Sequence, residues 1–162
     1  MDLDGARDGA YAIPADVNLL AIDFDLTLVD VHTEGRWSRG VDALARHARP
    51  FFLDVVRRAL KANVHVAVVT FSPQTELIGD VLRVLFPGAQ PDIIVRGNDD
   101  SWVYNGTGGT DGKQAHIASA VEQLHLRGAG PVSRRSTLLF DDDICNVRAA
   151  LKAGVRALWY IP

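Results

Sequence analysis

Residues 19–30 read LLAIDFDLTLVD, and this stretch decides the fold. Its first half has the length and composition of a buried parallel strand. It then ends abruptly in two aspartates, Asp23 and Asp25, followed by Thr27. Buried strands do not normally finish in paired carboxylates, because such groups repel one another and desolvating each of them costs several kcal/mol. A cation should therefore sit between them, and a divalent metal is the candidate.

Working outward, the next elements alternate in kind. Residues 18–24 form the first strand, and residues 25–38 have no helical period and should be a loop or short hairpin. Residues 41–48 are weakly helical. Pro50 suits the first turn of a helix running to Lys61, with Phe52, Leu53, Val56 and Leu60 on one face. Residues 64–69 (VHVAVV) are a second buried strand ending at Thr70. Ser72-Pro73 has the form of an N-cap and first helical position, and opens a helix that stops before Pro87-Gly88. A short third strand is expected at 92–95 and a polar, Gly-rich loop at 96–112. Lys113 then opens a helix to Leu126. A fourth strand, STLLF at 136–140, again ends in acids, Asp141-Asp142-Asp143. A helix at 144–153 closes at Gly154, and residues 155–161 are the last strand.

Strands alternating with helices specify a mainly parallel sheet covered on both faces, a Rossmann-like three-layer α/β/α sandwich. In such sheets ligands bind at the carboxyl ends of the strands. Three strands here end in polar residues: Asp23/Asp25, Thr70 and Asp141/Asp142. Residues 18–162 are expected to form a single catalytic domain, preceded by a loosely ordered arm over 1–17. That arm is acidic and Gly/Ala-rich and lacks the basic start and apolar centre of a signal peptide.

The composition is that of an ordinary globular chain: 162 residues, 48% hydrophobic and 23% charged, with a formal net charge of −3. That charge gives no global pull toward nucleic acid or an anionic membrane. The single cysteine, Cys145, forms no internal disulfide and fits a reducing, cytoplasmic compartment. Cys145 lies beside the acidic cluster but has no evident partner for nucleophilic chemistry. The five histidines show no metal-ligand spacing and are read as structural or exposed. Trp37 and Trp102 lie in the two loops expected to border a pocket. Arg36, Arg39, Arg46, Arg49, Arg57 and Arg58 make the segment after the first acidic pair locally basic, which suits a solvated helix face or an anionic substrate.

Four pieces now stand in order: DFDLT at Asp23, VVTFS at Thr70, Lys113 at a helix start, and LLFDDDICNV around Asp141. Together they resemble the motifs of the haloacid dehalogenase (HAD) superfamily of aspartate-nucleophile phosphatases, spanning most of the chain. The resemblance implies a HAD-like fold and a Mg²⁺-dependent phosphomonoesterase working through an aspartyl-phosphate. Asp23 would be the nucleophile and Asp25 the general acid and then base. Thr70 would hydrogen-bond the phosphoryl oxygens, and Lys113 would neutralise charge on nucleophile and phosphate. Asp23, Asp25 (through its backbone carbonyl), Asp141 and Asp142 would make the metal site, with Asp142 on the ion and Asp141 orienting Lys113 or a metal-bound water. Phe24 and Phe71, through their backbone N–H groups, and Ser72 would bind substrate. The gaps from Thr27 to Thr70 and from Thr70 to Lys113 hold no extra domain, so the chain resembles the minimal-cap members and is similar in size to the magnesium-dependent phosphatases. An open site suits a phosphorylated substrate, including a macromolecular one such as a phosphoprotein, with no membrane partner. The phospho-accepting receiver domain uses the same residue types in a different order, and a Mg²⁺-dependent nuclease would want a basic stripe that is lacking. A catalytically weak phospho-ligand binding or regulatory module is the second reading; the intact Asp23/Asp25 pair argues against it.

Overall fold

A computed structural model describes residues 12–89, 93–106 and 110–162. Most of the expected arm over 1–17, the start of the expected strand at Asp92 and part of the 96–112 loop lie outside the described residues. Five strands pair in the order β3-β2-β1-β4-β5, all parallel. They are β1 (Leu19–Ile22), β2 (His65–Val69), β3 (Ile94–Arg96), β4 (Thr137–Asp141) and β5 (Arg156–Trp159). The helices are α1 (Val41–Ala45), α2 (Pro50–Lys61), α3 (Thr75–Leu85), α4 (Gln114–Leu126) and α5 (Ile144–Lys152). No helix among the described residues is long and apolar enough to cross a membrane.

Why β1 is apolar at every position follows from its place. It is the central strand, and its successive side chains enter opposite faces of the sheet. Leu20 and Ile22 join one core with Val66, Val68 and Leu138; Phe52 and Val56 of α2 and Ile78 and Leu82 of α3 cover it. Leu19 and Ala21 join the other with Ala67, Val69 and Leu139, beneath Ile117, Ala120 and Leu124 of α4 and Ala150 of α5. The result is the three-layer sandwich expected from the strand–helix alternation.

Register places the chemistry. Ile22 of β1 pairs with Val68 of β2 and with Phe140 of β4. The next residue on each strand is therefore Asp23, Val69 and Asp141, at one level. Adjacent strands lie about 4.8 Å apart, so this pairing alone sets Asp23 and Asp141 side by side. Strand order reverses about β1, with β2 and β3 on one side and β4 and β5 on the other, and the crevice of such a sheet opens at that point.

One expectation narrows and another needs correction. Of the loop or short hairpin expected over residues 25–38, the loop is found, and it opens on a turn: Leu28 N–H donates to the Asp23 carbonyl (3.2 Å) and Val29 N–H to that of Phe24 (3.0 Å), closing one wide, π-type turn over Phe24–Leu28. Leu26 sits at φ +59° within it, and wide turns of this kind concentrate at functional sites. Ser72, however, does not cap a helix. α3 begins at Thr75, because the Ser72 and Thr70 hydroxyls are used one turn earlier, accepting from the N–H groups of Gln74 (3.2 Å) and Ser72 (3.1 Å). The Ser-Pro signature is satisfied by a tight polar turn instead.

Leu20 is fully buried in the central strand. Leu20→Ala should cost about 2–5 kcal/mol of stability, the usual range for a large-to-small core change, read as a lowered urea midpoint with an unchanged slope.

Candidate active site

At the carboxyl ends of β1, β2 and β4 lies a cleft of about 530 Å³. It is lined by Asp23, Asp25, Thr70, Phe71, Ser72, Lys113, Asp141 and Asp142, together with His32, Glu34 and Asn146. Eight of the nine predicted site residues, Ser72 among them, thus meet around one space. Phe24 does not line it. Its side chain is fully buried in the core, because the residue after Asp23 turns back beneath the wide turn.

Ligand oxygens of Asp23, Asp141 and Asp142 lie within 4.8 Å of one another. The Asp25 carboxylate stands outside this group. Lys113 approaches from the start of α4. Its side chain is buried to 2% exposure, and its ammonium donates to Asp23 Oδ1 and to the Val69 carbonyl (3.2 Å) and lies 3.9 Å from Asp141 Oδ2. The Phe71 ring centroid is 4.4 Å from the same nitrogen. Gly112 permits this approach. It adopts φ +55°, and a Cβ there would sit 3.1 Å from the Asn146 Cα of α5; only glycine tolerates both.

Other side chains hold the acids in place. Asp141, fully buried, accepts from Asp143 N–H (2.9 Å) and from Asn146 Nδ2 (3.1 Å). Asp143 caps α5 by accepting from Cys145 N–H at 2.8 Å. The buried Thr27 hydroxyl donates to Asp142 Oδ1 and accepts from Asp142 N–H, both at 3.1 Å. Trp159 of β5 donates to the Asp142 carbonyl at 2.8 Å. On the other side of the cleft Asp25 accepts from Thr33, and His32 Nδ1 lies 3.4 Å from Asp25 Oδ2.

One lysine does not balance this much negative charge. Burial pushes the Asp23 carboxyl up, to about 7, with the Asp141 and Asp142 charges adding and the Lys113 charge opposing. Asp141 is raised as well, again by burial and against Lys113. The site is short of positive charge, and its donor set is all oxygen. Both properties fit a hard divalent cation.

Sequence reasoning missed Thr33, His32, Gln74 and Trp159. Trp37 and Trp102, expected near the pocket, are absent from its lining among the described residues. The Trp37 main chain instead pairs with the Gln74 side chain: its N–H donates to Gln74 Oε1 at 2.7 Å and its carbonyl accepts from Gln74 Nε2 at 3.0 Å. Trp102 packs on His116 with ring centroids 5.0 Å apart. His116 is structural, as read: fully buried, with Nε2 bonded to Asn98 Oδ1 at 2.8 Å and ringed by Phe71, Trp102 and Tyr104.

No protein-family model matches the chain, and no curated protein matches it by sequence. Solved structures do. The HAD domain of the effector Lem4 from Legionella pneumophila, in an inactive mutant, superposes with a TM-score of 0.53 at 17% identity over 90% of this chain and 86% of that one. A candidate phosphoglycolate phosphatase from Lactobacillus delbrueckii subsp. bulgaricus gives 0.56 at 14% identity over 86% and 84%. The N-terminal part of BF1531 from Bacteroides fragilis, containing a phosphatase domain complexed with Mg, gives 0.55 at 13% identity, over 88% of this chain and 35% of that one. The fold is that of the HAD domains. Among the described residues the segments from Thr27 to Thr70 and from Thr70 to Lys113 hold only α1, α2, β2, α3, β3 and loops, so no large cap domain is present.

Two measurements follow from the packing around the acids. Thr27→Val leaves the part-buried Asp142 N–H without its hydroxyl acceptor and should cost about 1 kcal/mol, read by chemical denaturation. The second concerns His116. Burial first, and then the Lys113 charge, lower its pKa from 6.5 to about 4. The unfolded chain therefore takes up a proton below 6.5 that the folded chain refuses, and stability falls as pH drops from 6.5 toward about 4. His116→Phe should flatten that part of the stability–pH curve.

Proposed function

We propose that this chain is a Mg²⁺-dependent phosphomonoesterase acting through an aspartyl-phosphate on Asp23. The observation that carries the reading is the convergence of Asp23, Asp141 and Asp142 within 4.8 Å, with buried Lys113 donating to Asp23 at the same strand ends. The HAD-type fold and a structural neighbour that holds Mg beside its phosphatase domain support it.

Asp23, Asp142 and the Asp25 backbone carbonyl would hold the ion, with Asp141 turned toward Lys113. When bound, the ion supplies positive charge against the phosphoryl oxygens, where this reaction needs it most. The chain's own groups do the rest. Lys113 screens the approach of an anionic carboxylate to an anionic phosphate. Thr70, whose oxygen already accepts from Ser72 N–H, has its hydroxyl proton to give to a phosphoryl oxygen. Backbone N–H groups at Phe24 and Phe71 complete the cradle, and Ser72 borders it.

Asp23 Oδ attacks phosphorus. As that bond forms, the bond from phosphorus to the ester oxygen breaks, its electron pair stays on the oxygen, and the Asp25 proton moves there. A water oxygen then attacks the same phosphorus while Asp25, now a carboxylate, takes one of its protons. The Asp23–phosphorus bond breaks with its electrons returning to the carboxylate. Ester and water have become alcohol and phosphate, and both aspartates are restored. The uncapped cleft leaves room for a large leaving group, so a phosphoprotein or another phosphorylated macromolecule belongs to this reading.

Hydrolysis of an aryl phosphate with Mg²⁺, with EDTA, and by Asp23→Asn tests it. Phosphate release should require Mg²⁺, and the variant should lose at least ~10⁴-fold while keeping its fold, since it removes a nucleophile with almost no change of shape. Mg²⁺ should also raise the thermal midpoint by mass action, and Asp142→Asn should abolish that shift. Mg²⁺ stabilisation without turnover on any phosphate ester would favour a phospho-ligand binding module instead.

A further inference from the structure

The wide turn leaves Asp25 projecting from the strand end with no other acid to hold it. Thr33 holds it instead. Thr33 is only 6% exposed. Its hydroxyl lies 2.9 Å from both Asp25 oxygens, and its N–H donates to Oδ2 at 3.1 Å. The hydroxyl itself accepts from Gly35 N–H at 3.4 Å. A hydroxyl has one proton to give, and with Gly35 on its acceptor side that proton points at Asp25.

The two Asp25 oxygens are thereby made unequal. Oδ2 is committed as acceptor of a backbone N–H, which cannot reverse its polarity. A proton on the carboxyl belongs on Oδ1. His32 does not compete for this role: its Nδ1 already accepts from Glu34 N–H at 2.9 Å, so the proton of the neutral ring is on Nε2.

The segment carrying Thr33 is braced at both ends. Leu26 N–H donates to the Val31 carbonyl at 3.2 Å. At the far end Trp37 is clamped by Gln74, and Gly35, at φ +66°, lies so close to Pro73 that a Cβ there would be 2.9 Å from its ring. Thr33 therefore occupies one place relative to Asp25, fixed from the turn before α3 as well as from the wide turn after β1.

Building on the function proposed above, we infer that Thr33 is a positioning residue for proton transfer. It fixes the Asp25 carboxyl so that Oδ1 carries the proton given to the leaving oxygen and later takes one from water. Nothing in the local sequence marks it, and it lies outside the four motifs.

The test uses leaving groups. p-Nitrophenolate departs without a proton, whereas the oxygen of phenyl phosphate needs one. With Mg²⁺ present, Thr33→Val should form the aspartyl-phosphate from p-nitrophenyl phosphate within about threefold of the parent, and from phenyl phosphate ~10²-fold more slowly, the low end of what a placed general acid supplies. Its turnover of the shared intermediate should slow for both substrates alike. Thr33→Ser, which keeps the hydroxyl and the N–H, should restore the parent pattern, and Asp25→Asn should show the Thr33→Val pattern in stronger form. Equal losses on both substrates, no loss at all, or a Ser variant as impaired as Val would overturn the inference while leaving the nucleophile assignment intact. A parent protein silent on both substrates would remove the proposed function itself, and the inference with it.

Discussion

The contact on which the site depends is the buried pair of Lys113 and Asp23. Three carboxylates converge at the strand ends, Asp23 and Asp141 buried and Asp142 partly so, and without a cation they would force one another apart or neutralise. Lys113 reaches in between Asp23, Asp141 and the Val69 carbonyl, and even so Asp23 remains raised. Buried charges of this kind are tolerated when each is paired and hydrogen-bonded. Here Asn146, Thr27 and the Asp143 N–H provide the remaining bonds. The net shortfall of positive charge is a feature that stability alone would not select, and it is what a hard cation would relieve.

Much of this was legible in the chain itself. The reading of β1 held because a central parallel strand must be apolar on both faces, and few other elements write LLAI directly into paired acids. The second acidic group was legible for the same reason at β4. Their adjacency was not read from spacing, however. It follows from register, Ile22 to Phe140, which strand order determines and which the fold class had only implied.

Other parts were out of reach for definite reasons. Lys113 is the exception, legible only through its place in the order of the four motifs; a lysine at a helix start looks the same locally whether it faces water or, as here, Asp23 and Asp141. Ser72-Pro73 carried a true turn signal, but the hydroxyls were spent one turn before the helix. Thr33 and Gln74 act through a loop whose path is set by contacts between residues 37 positions apart, and periodicity says nothing about such paths. Trp159 reaches the Asp142 carbonyl from the edge strand through a single indole N–H, a contact visible only once β5 is in place.

The register also bears on how the protein is made. Thr27 and Asp142 touch across 115 residues of chain, and Asp23 acquires its acidic neighbours only when β4 inserts beside β1. Pairings of such long range form late, since the chain entropy lost in closing them is recovered only once they are complete. On a ribosome, β1 to β3 with their helices emerge while Asp23 still lacks Asp141 and Asp142. The nascent chain therefore carries Asp23 without the carboxylates that later surround it until β4 has been made.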